Sequence, residues 1–280
     1  FARRGFAEAR KAVEAMTISD TEKALWRVRI DLSEWKAADP GESGRPRRRQ
    51  LEEDLLKQVQ ALRTARSAVL RLALSELATA DAAFDADAPA ELWDAVAEGF
   101  EVKGDPENAA AISEKAAELA ERSGRRDQAG ASRLRAGGFL FQAGKYANAD
   151  AVLEKVVSDR EAGPARPKAG LLQALARARA AAAGGSANSY EQALERQIRE
   201  FPDDPTAVEA RWLLGSLESS RGRREPAMEL WKAVPIDSPR WIQARVAVVD
   251  ASRHALEDRV AAEEREGLEG VFAQAQTFVE

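Results

Sequence analysis

Residues 93–116 of the chain read WDAVAEGFEVKGDPENAAAISEKA, and most of the architecture follows from this stretch. Apolar side chains recur at helical spacing up to Phe100, and the run Gly104-Asp105-Pro106 then interrupts the pattern. Asp105 is a favourable N-cap, and proline suits the first helical turn because the amide that it lacks would have no partner there. The stretch therefore predicts two antiparallel helices joined by a tight turn.

The same turn recurs at a nearly constant interval. The glycines Gly104, Gly144, Gly185 and Gly222 are 40, 41 and 37 residues apart. At three fixed offsets stand mostly small or apolar residues: Ala97, Gly137, Ala178 and Gly215 seven before each glycine, Ala109, Ala149, Tyr190 and Ala227 five after, and Ala116, Val156, Gln197 and Val234 twelve after. Small side chains let two helices cross closely. The interval predicts four stacked hairpins.

The offsets resemble those of the tetratricopeptide repeat family. The unit that matches the family pattern best contains Trp93, Val96, Ala97, Phe100, Gly104, Ala109 and Ala116. Residues 201–215 are similar to repeats of bacterial cell-envelope proteins of the Tol–Pal-associated type. The resemblance covers residues 89–236. It implies an all-α, right-handed superhelical solenoid of antiparallel helix hairpins with a concave face that binds a partner, and it gives no evidence for chemistry.

Composition agrees with an all-α chain. The 280 residues carry 42 Lys and Arg against 47 Asp and Glu, a formal net charge of −5, with no Cys and one His. Strong helix formers dominate. The missing cysteines exclude thiol catalysis, zinc–thiolate sites and disulfides, and the single His excludes His-rich metal sites. No run of 18 apolar residues predicts a membrane span.

The predicted helix lengths and the spacing of the Gly and Pro breaks divide the chain into three parts. Residues 1–88 form long, irregular helices with a linker at 39–48, residues 89–236 form the four hairpins, and residues 237–280 form capping helices. Residues 49–80 are typical of one long helix, which would lie along several neighbours or self-associate with another copy. The sequence opens inside a helical pattern without an initiator Met, so we expect a fragment or a processed chain. Its compartment stays open between the bacterial cell envelope or periplasm and the cytoplasm.

No residue pattern predicts an enzyme, a cofactor or a metal site. His254 is the only histidine, so the sequence contains no HExxH metal motif. It also contains no GxSxG motif whose serine a histidine would activate. The cluster Asp81, Asp85 and Asp87 lacks the spacing of a calcium loop and is typical of a helix end. Glycine-rich phosphate loops are missing from the sequence. A helical enzyme with an unrecognised site remains an alternative.

One dense basic run, Arg45-Pro46-Arg47-Arg48-Arg49, falls in the predicted linker. Such a run contacts phosphates or acidic partners, although it is most often a solvated loop. No aromatic residue interleaves it, which disfavours stacking on single strands. The alternative function is therefore a regulatory, nucleic-acid-associated module that uses residues 45–49, but the sequence does not favour nucleic acid.

The sequence favours a non-catalytic protein–protein interaction scaffold that binds a peptide or helix on its concave face. Phe141 and Trp212 are predicted anchors, because large aromatic side chains bury much area. The positions predicted to face the partner are Glu98, Glu101, Leu134, Phe141, Gln142, Arg179, Trp212, Ser216 and Ser219. These positions hold no dense group of Lys, Asn and Arg, so they do not predict the capture of a terminal carboxylate.

Overall fold

The computed structural model describes residues 2–79, 84, 88–184 and 187–277. Within these ranges the regular structure is helical, with 13 α-helices and no strand. The chain divides into two compact units, Phe1–Ala180 and Ala181–Glu280. The predicted all-α class is confirmed. The three-part division of the sequence into 1–88, 89–236 and 237–280 stays a prediction about domains.

Unit 1, Phe1–Ala180, is a succession of helices in which sequence neighbours pack together. A 3-10 turn, Arg160–Ala162, separates the last two helices. The helices are α1 (Ala2–Ala15), α2 (Asp20–Ala37), α3 (Arg45–Thr64), α4 (Leu70–Ala78), α5 (Ala90–Val102), α6 (Pro106–Arg122), α7 (Arg126–Gln142), α8 (Tyr146–Ser158) and α9 (Ala165–Ala182). Short connections make consecutive helices antiparallel.

Unit 2, Ala181–Glu280, continues the hairpin pattern with four helices. They are α10 (Ala187–Glu200), α11 (Pro205–Ser220), α12 (Arg224–Lys232) and α13 (Trp241–Thr277). Each packs against the next one along the chain. Within each unit, the predicted arrangement of stacked helix hairpins is thus confirmed.

The hairpin turns are built on glycines in the left-handed region. Gly104, Gly144 and Gly222 have φ of +77°, +73° and +76°. In each turn the next residue donates its N–H to a carbonyl five positions back, as from Asp105 to Phe100 at 2.9 Å. This bond satisfies carbonyls that a helix end leaves open. The predicted turns are confirmed there, and Gly124 makes the same turn between hairpins.

The third turn lies partly outside the described residues. Gly185, the predicted turn glycine, is not among them. Its neighbour Gly184 has φ of +101° and donates its N–H to the carbonyl of Ala181 at 3.1 Å. Among the described residues, the left-handed glycine at this turn is therefore one position earlier than predicted.

Close helix crossings explain the small residues before the turns. A Cβ on Gly137 would lie 2.5 Å from Leu153 Cδ2, and one on Gly215 would lie 2.4 Å from Trp231 Nε1. Among the other predicted packing positions, Ala178 and Tyr190 are half-buried, whereas the buried ones are Ala97, Ala109, Ala116, Ala149, Val156, Gln197, Ala227 and Val234. Side-chain size at the crossings sets the distance between helices.

The first core of unit 1 is organised around two tryptophans. The Phe84 ring lies 4.7 Å from Trp35 and 5.9 Å from Trp93, between centroids. Trp35 donates its indole N–H to Glu52 Oε1 at 3.2 Å, and the Arg48 guanidinium stacks 4.1 Å over the Trp35 ring. A buried carboxylate and a stacked guanidinium therefore lie inside the apolar cluster.

The predicted long helix at residues 49–80 is wrong. Helix α3 ends at Thr64, Arg66 adopts a φ of +48°, and α4 begins at Leu70. An unbroken helix of this length would span about 48 Å. The break allows the apolar faces of both α3 and α4 to pack into the core. In the segment predicted to self-associate, Leu72 is exposed, but four other apolar residues lie in the core, namely Leu51, Leu55, Val59 and Leu62.

The predicted linker at 39–48 is also wrong beyond residue 44, because α3 already begins at Arg45. Gly44 fits closely against the backbone, since a Cβ there would lie 1.9 Å from the Asp39 carbonyl oxygen. The basic run therefore forms the first turn of a helix. Upstream, Ser19 and Glu22 form a capping box at the start of α2.

Candidate functional site

The predicted partner-facing residues of α5 and α7 are largely engaged within unit 1. Glu98 is half-buried, and its Oε2 lies 2.6 Å from Arg63 Nη2. Leu134 and Phe141 are half-buried and pack against the apolar cluster of α8 and α9. The Phe141 ring also meets Tyr146 edge-on at 5.4 Å between centroids. Leu134 and Phe141 thus lie in one cluster, and other side chains of unit 1 already bury part of the surface of each.

Three other predicted positions of unit 1 are exposed: Glu101, Gln142 and Arg179. In unit 2, Trp212 is half-buried, lies 5.9 Å from the Trp231 ring and has the Arg240 guanidinium 5.7 Å above it. Ser216 and Ser219 are half-buried, and the Ser216 hydroxyl donates to the Trp212 carbonyl at 2.9 Å. The role of these residues in partner binding stays a prediction.

A buried polar network joins α5 to α7. The buried Asp94 carboxylate accepts a hydrogen bond from Ser132 Oγ at 2.9 Å and forms an ion pair with Arg135. Burial raises the pKa of Asp94 above its ordinary value, against the opposing charge of Arg135. Arg135 also lies 3.9 Å from Glu98. The network holds two neighbouring helices in register.

A cavity of about 800 Å³ lies at one edge of unit 1, where helix ends meet. We call it the arginine groove. Four arginines and two glutamates line it together with apolar side chains, and its lining consists of Pro40, Gly41, Glu42, Arg45, Arg49, Ala88, Pro89, Ala90, Glu91, Leu119, Arg122, Ser123 and Arg125. Its lining carries more net positive charge than that of the cavity around Arg10, Arg47 and Lys57 in the same unit.

The arginines come from two distant segments. Arg45 and Arg49 belong to the first turns of α3, whereas Arg122 ends α6 and Arg125 follows the left-handed Gly124. Helix α3 begins without a side-chain cap, so the positive end of its dipole adds to the field of the arginines. Rigid helix ends thus hold all four guanidinium groups at one rim.

These arginines differ in how far the protein already neutralises them. Arg125 Nη1 lies 2.6 Å from Glu91 Oε1. Burial opposes ionisation of Glu91, but hydrogen bonds from its own amide and Gln128, with the Arg125 charge, lower its pKa. Arg122 approaches Glu118 only to 3.8 Å and is largely exposed. Arg49 is exposed and has no ion-pair partner among the described residues. The groove therefore keeps an excess of positive charge.

The basic run is split by packing. Arg47 Nη2 lies 2.6 Å from Glu34 Oε1, and Arg48 is buried against the Trp35 ring. Only Arg45 and Arg49 reach the groove. The expectation that residues 45–49 act as one exposed basic loop is therefore wrong, because helix geometry sends successive side chains in different directions.

Sequence reasoning identified the basic run but missed the other half of the groove. Arg122 and Arg125 flank Ser123-Gly124, which the sequence marks only as a helix break. They become a site because the end of α6 lies beside the start of α3, a contact between segments more than 70 residues apart. A basic residue on each side of a hairpin turn was the only local signal.

The described residues offer no group of acidic or histidine side chains that could hold a metal ion. His254 is an exposed residue of α13, and its Nδ1 lies 3.1 Å from Glu257 Oε2. The acidic cluster Asp81, Asp85 and Asp87 lies outside the described residues. In the described part of the chain, no helix is long and apolar enough to cross a membrane.

No protein-family model matches the sequence, and a comparison with curated proteins finds no match either. Among solved structures, the chain is similar to a putative kinesin light chain of Podosopora anserina with nearly identical TPR-like repeats. The identity is 17%, the match covers 69% of this chain and 95% of that one, and the TM-score is 0.49. For a second crystal structure of that protein, the same four values are 15%, 72%, 96% and 0.48. The likeness of residues 201–215 to cell-envelope repeats stays a sequence prediction.

Proposed function

We propose that the protein is a non-catalytic protein-interaction scaffold and that unit 1 binds an acidic segment of a partner protein in the arginine groove. The observation that carries this proposal is the meeting of four arginines from two segments of the chain around a cavity of about 800 Å³. A cavity of this size accommodates several side chains of an extended peptide.

The groove has the chemistry that an acidic peptide needs. Guanidinium groups bind carboxylates through paired N–H donors, which gives direction as well as attraction. Leu119, Pro89 and Ala88 supply apolar contact beside the charges. Because the arginines sit on helix ends, little backbone ordering accompanies binding, and the loss of entropy falls mainly on the partner.

A protein partner fits better than a nucleic acid. Affinity for a phosphate backbone rests on a stripe of about 6–10 Lys and Arg contacts. Here Glu34 pairs with Arg47, Arg48 is buried against Trp35, and two glutamates line the same cavity. The formal net charge of −5 further repels a long polyanion. A short segment that alternates acidic and apolar residues matches the groove more closely.

The test is a binding titration with a defined probe. A short fluorescein-labelled peptide in which Asp and Glu alternate with Leu is titrated by fluorescence anisotropy against the wild type and R49E/R122E. Each partly exposed ion pair contributes about 0.5–1 kcal/mol, so loss of two weakens binding by about five- to thirtyfold. The matched control, R71E/R160E, makes the same charge change at exposed arginines away from the groove and leaves the dissociation constant within about twofold.

Three results would contradict the proposal. Equal losses in both double variants would show that only net charge matters. A loss confined to R179E would move the contact to the predicted concave face. Binding of a single-stranded RNA more tightly than the peptide, abolished by R49E/R122E, would assign the groove to phosphates. A rise in the dissociation constant with ionic strength is expected, since partly exposed charges are screened.

A further inference from the structure

Helix α13 has one face that the hairpin uses. Ala244 and Ala251 are buried, and Ala247 and Val248 are half-buried against the apolar cluster of α12. Ser252 Oγ lies 3.3 Å from the Met228 sulfur on the same side of the helix. The 37-residue helix therefore docks on unit 2 through a narrow stripe of mostly small residues.

A second stripe on α13 is apolar and has no partner within the described residues. Its members are unusually exposed for aliphatic side chains, at 69%, 56%, 66%, 58% and 46% for Ile242, Val246, Val249, Leu256 and Val260. The steps between them are four, three, seven and four residues, and Arg253 occupies the position that would divide the step of seven. This is the spacing of a coiled-coil seam, not of a helix packed once against a globular core.

The residue types fit a two-stranded seam. Val246, Arg253 and Val260 take the a positions, and Ile242, Val249 and Leu256 take the d positions. Branched residues at a with leucine at d favour two strands, as at Val260 and Leu256, whereas Ile242 and Val249 at d add apolar area without that preference. One charged residue at an a position fixes the register. Arg253 is already paired with Glu257 at 2.8 Å on its own helix, which reduces repulsion between two copies.

We propose that α13 pairs in parallel with α13 of a second copy of this chain along the exposed stripe. The flanking charges favour a second copy in that orientation. In a parallel pair, each g residue faces the e residue of the following heptad on the other helix, which sets Arg245 opposite Asp250. In an antiparallel pair, e faces e, and Asp250 would lie opposite its own copy.

The two members of this charge pair differ in how far the protein already engages them. Asp250 is exposed and has no ion pair among the described residues. Arg245 is half-buried, with Nη2 3.3 Å from the Lys232 carbonyl and 3.5 Å from the Val234 carbonyl and its guanidinium 5.6 Å from the Trp241 ring centroid. Its remaining N–H groups are the donors that Asp250 of the second copy would use. The interaction adds direction to a seam whose affinity comes from apolar burial.

The stripe also has a defined end. The next d and a positions hold Glu263 and Gly267, neither of which supports a seam. The paired segment therefore runs over residues 242–260, about 28 Å of helix and fewer than three heptads. Stable isolated coiled coils generally need more, so we expect a reversible dimer with a dissociation constant in the micromolar range.

The experiment is sedimentation velocity of the whole chain from about 1 to 200 µM, the range in which a micromolar dimer forms. The wild type is expected to shift from monomer to twice the monomer mass. V249E places a charge in the seam and weakens the dimer at least tenfold, with unchanged helix content by circular dichroism. The control L72E also introduces a glutamate at an exposed aliphatic residue, a leucine of unit 1 that is 53% exposed, and leaves the dimer intact. A wild type that stays monomeric, or a dimer insensitive to V249E, overturns the proposal.

Disulfide crosslinking tests the relative orientation of the two α13 helices. Because the sequence contains no cysteine, only the introduced cysteines can react. I242C alone forms a crosslinked dimer on oxidation if the helices are parallel, because the two cysteines then face each other. A crosslink that appears only when I242C is mixed with V260C means antiparallel pairing and refutes the parallel arrangement. The inference does not rest on the arginine groove: R49E/R122E tests that site with no effect on this one.

Discussion

Two adjacent glycines on α7 provide a sharp test of the helix crossing. Gly137 and Gly138 occupy the same helix interior, where replacing glycine by alanine stabilises a helix by about 1 kcal/mol. They differ in what a new methyl group would meet. At Gly138 nothing lies within 4 Å of the added Cβ, whereas at Gly137 the added Cβ would lie 2.5 Å from Leu153 Cδ2 and 2.6 Å from Cγ.

The expected effects therefore have opposite signs. G138A raises the free energy of unfolding by about 0.5–1 kcal/mol, because only the propensity changes. G137A gains the same propensity but forces carbon atoms well inside their contact distance of about 3.5–4.0 Å. Overpacking of this kind typically costs about 1–3 kcal/mol. Leu153 is fully buried, so it has little room to move aside. We expect G137A to be less stable than G138A by about 2 kcal/mol.

The assay is urea unfolding followed by circular dichroism at the helical minimum, with a second probe to check that the transition of unit 1 is two-state. Thermal unfolding gives an independent value, since 1 kcal/mol corresponds to about 2–4 °C in a chain of this size class. If both variants are equally stabilised, α7 and α8 do not approach as closely as the structure shows. The packing argument for the repeat would then fail at its best-defined crossing.

Three further changes test other parts of the structure. G99A is expected to destabilise unit 1 by about 2 kcal/mol in urea unfolding, because the added Cβ would lie 2.1 Å from the Leu74 carbonyl oxygen. D105A removes the side chain that accepts the Asn108 N–H at 3.1 Å, and the loss of this cap costs about 1 kcal/mol in the same assay. Burial opposes ionisation of Glu34, but hydrogen bonds from two arginines lower its pKa, so its stabilisation is present above about pH 4.3 and is lost as the pH falls further. Unfolding measured from pH 7 to 3 should show a shallower decline in E34Q; an equal decline would contradict the assignment.

The sequence predicted the turns because each turn depends on a few adjacent residues. Gly104, Asp105 and Pro106 end one helix and begin another by themselves, through a left-handed glycine, a cap and a fixed proline φ. The break at residues 65–69 contains no glycine or proline, so no local signal marks it. It arises because the apolar faces of α3 and α4 both pack into the core, which is a tertiary effect.

The candidate site was partly predictable for the same reason. The basic run was visible, but the direction of each arginine depends on what lies beside it. Arg48 turns to Trp35 and Arg47 to Glu34, whereas Arg49 remains at the groove. Arg122 joins Arg49 only through the packing of helix ends, and a single sequence gives no pairing information over that distance. Charge patterns thus identify candidate residues, and packing decides which of them meet.

The groove and the exposed stripe of α13 together imply how the scaffold would gain affinity. A few partly exposed arginine–carboxylate contacts give only weak binding, because each is worth about 1 kcal/mol or less. A reversible dimer would carry two grooves, and a partner with two acidic segments would then bind the second groove at an effective concentration that its linker sets. Affinity for such a partner would rise with protein concentration as dimers form, whereas affinity for a single acidic segment would not. Weak binding in each groove and weak dimerisation are therefore mutually consistent. Together they would make the affinity for a partner with two acidic segments depend on protein concentration, which neither would do alone.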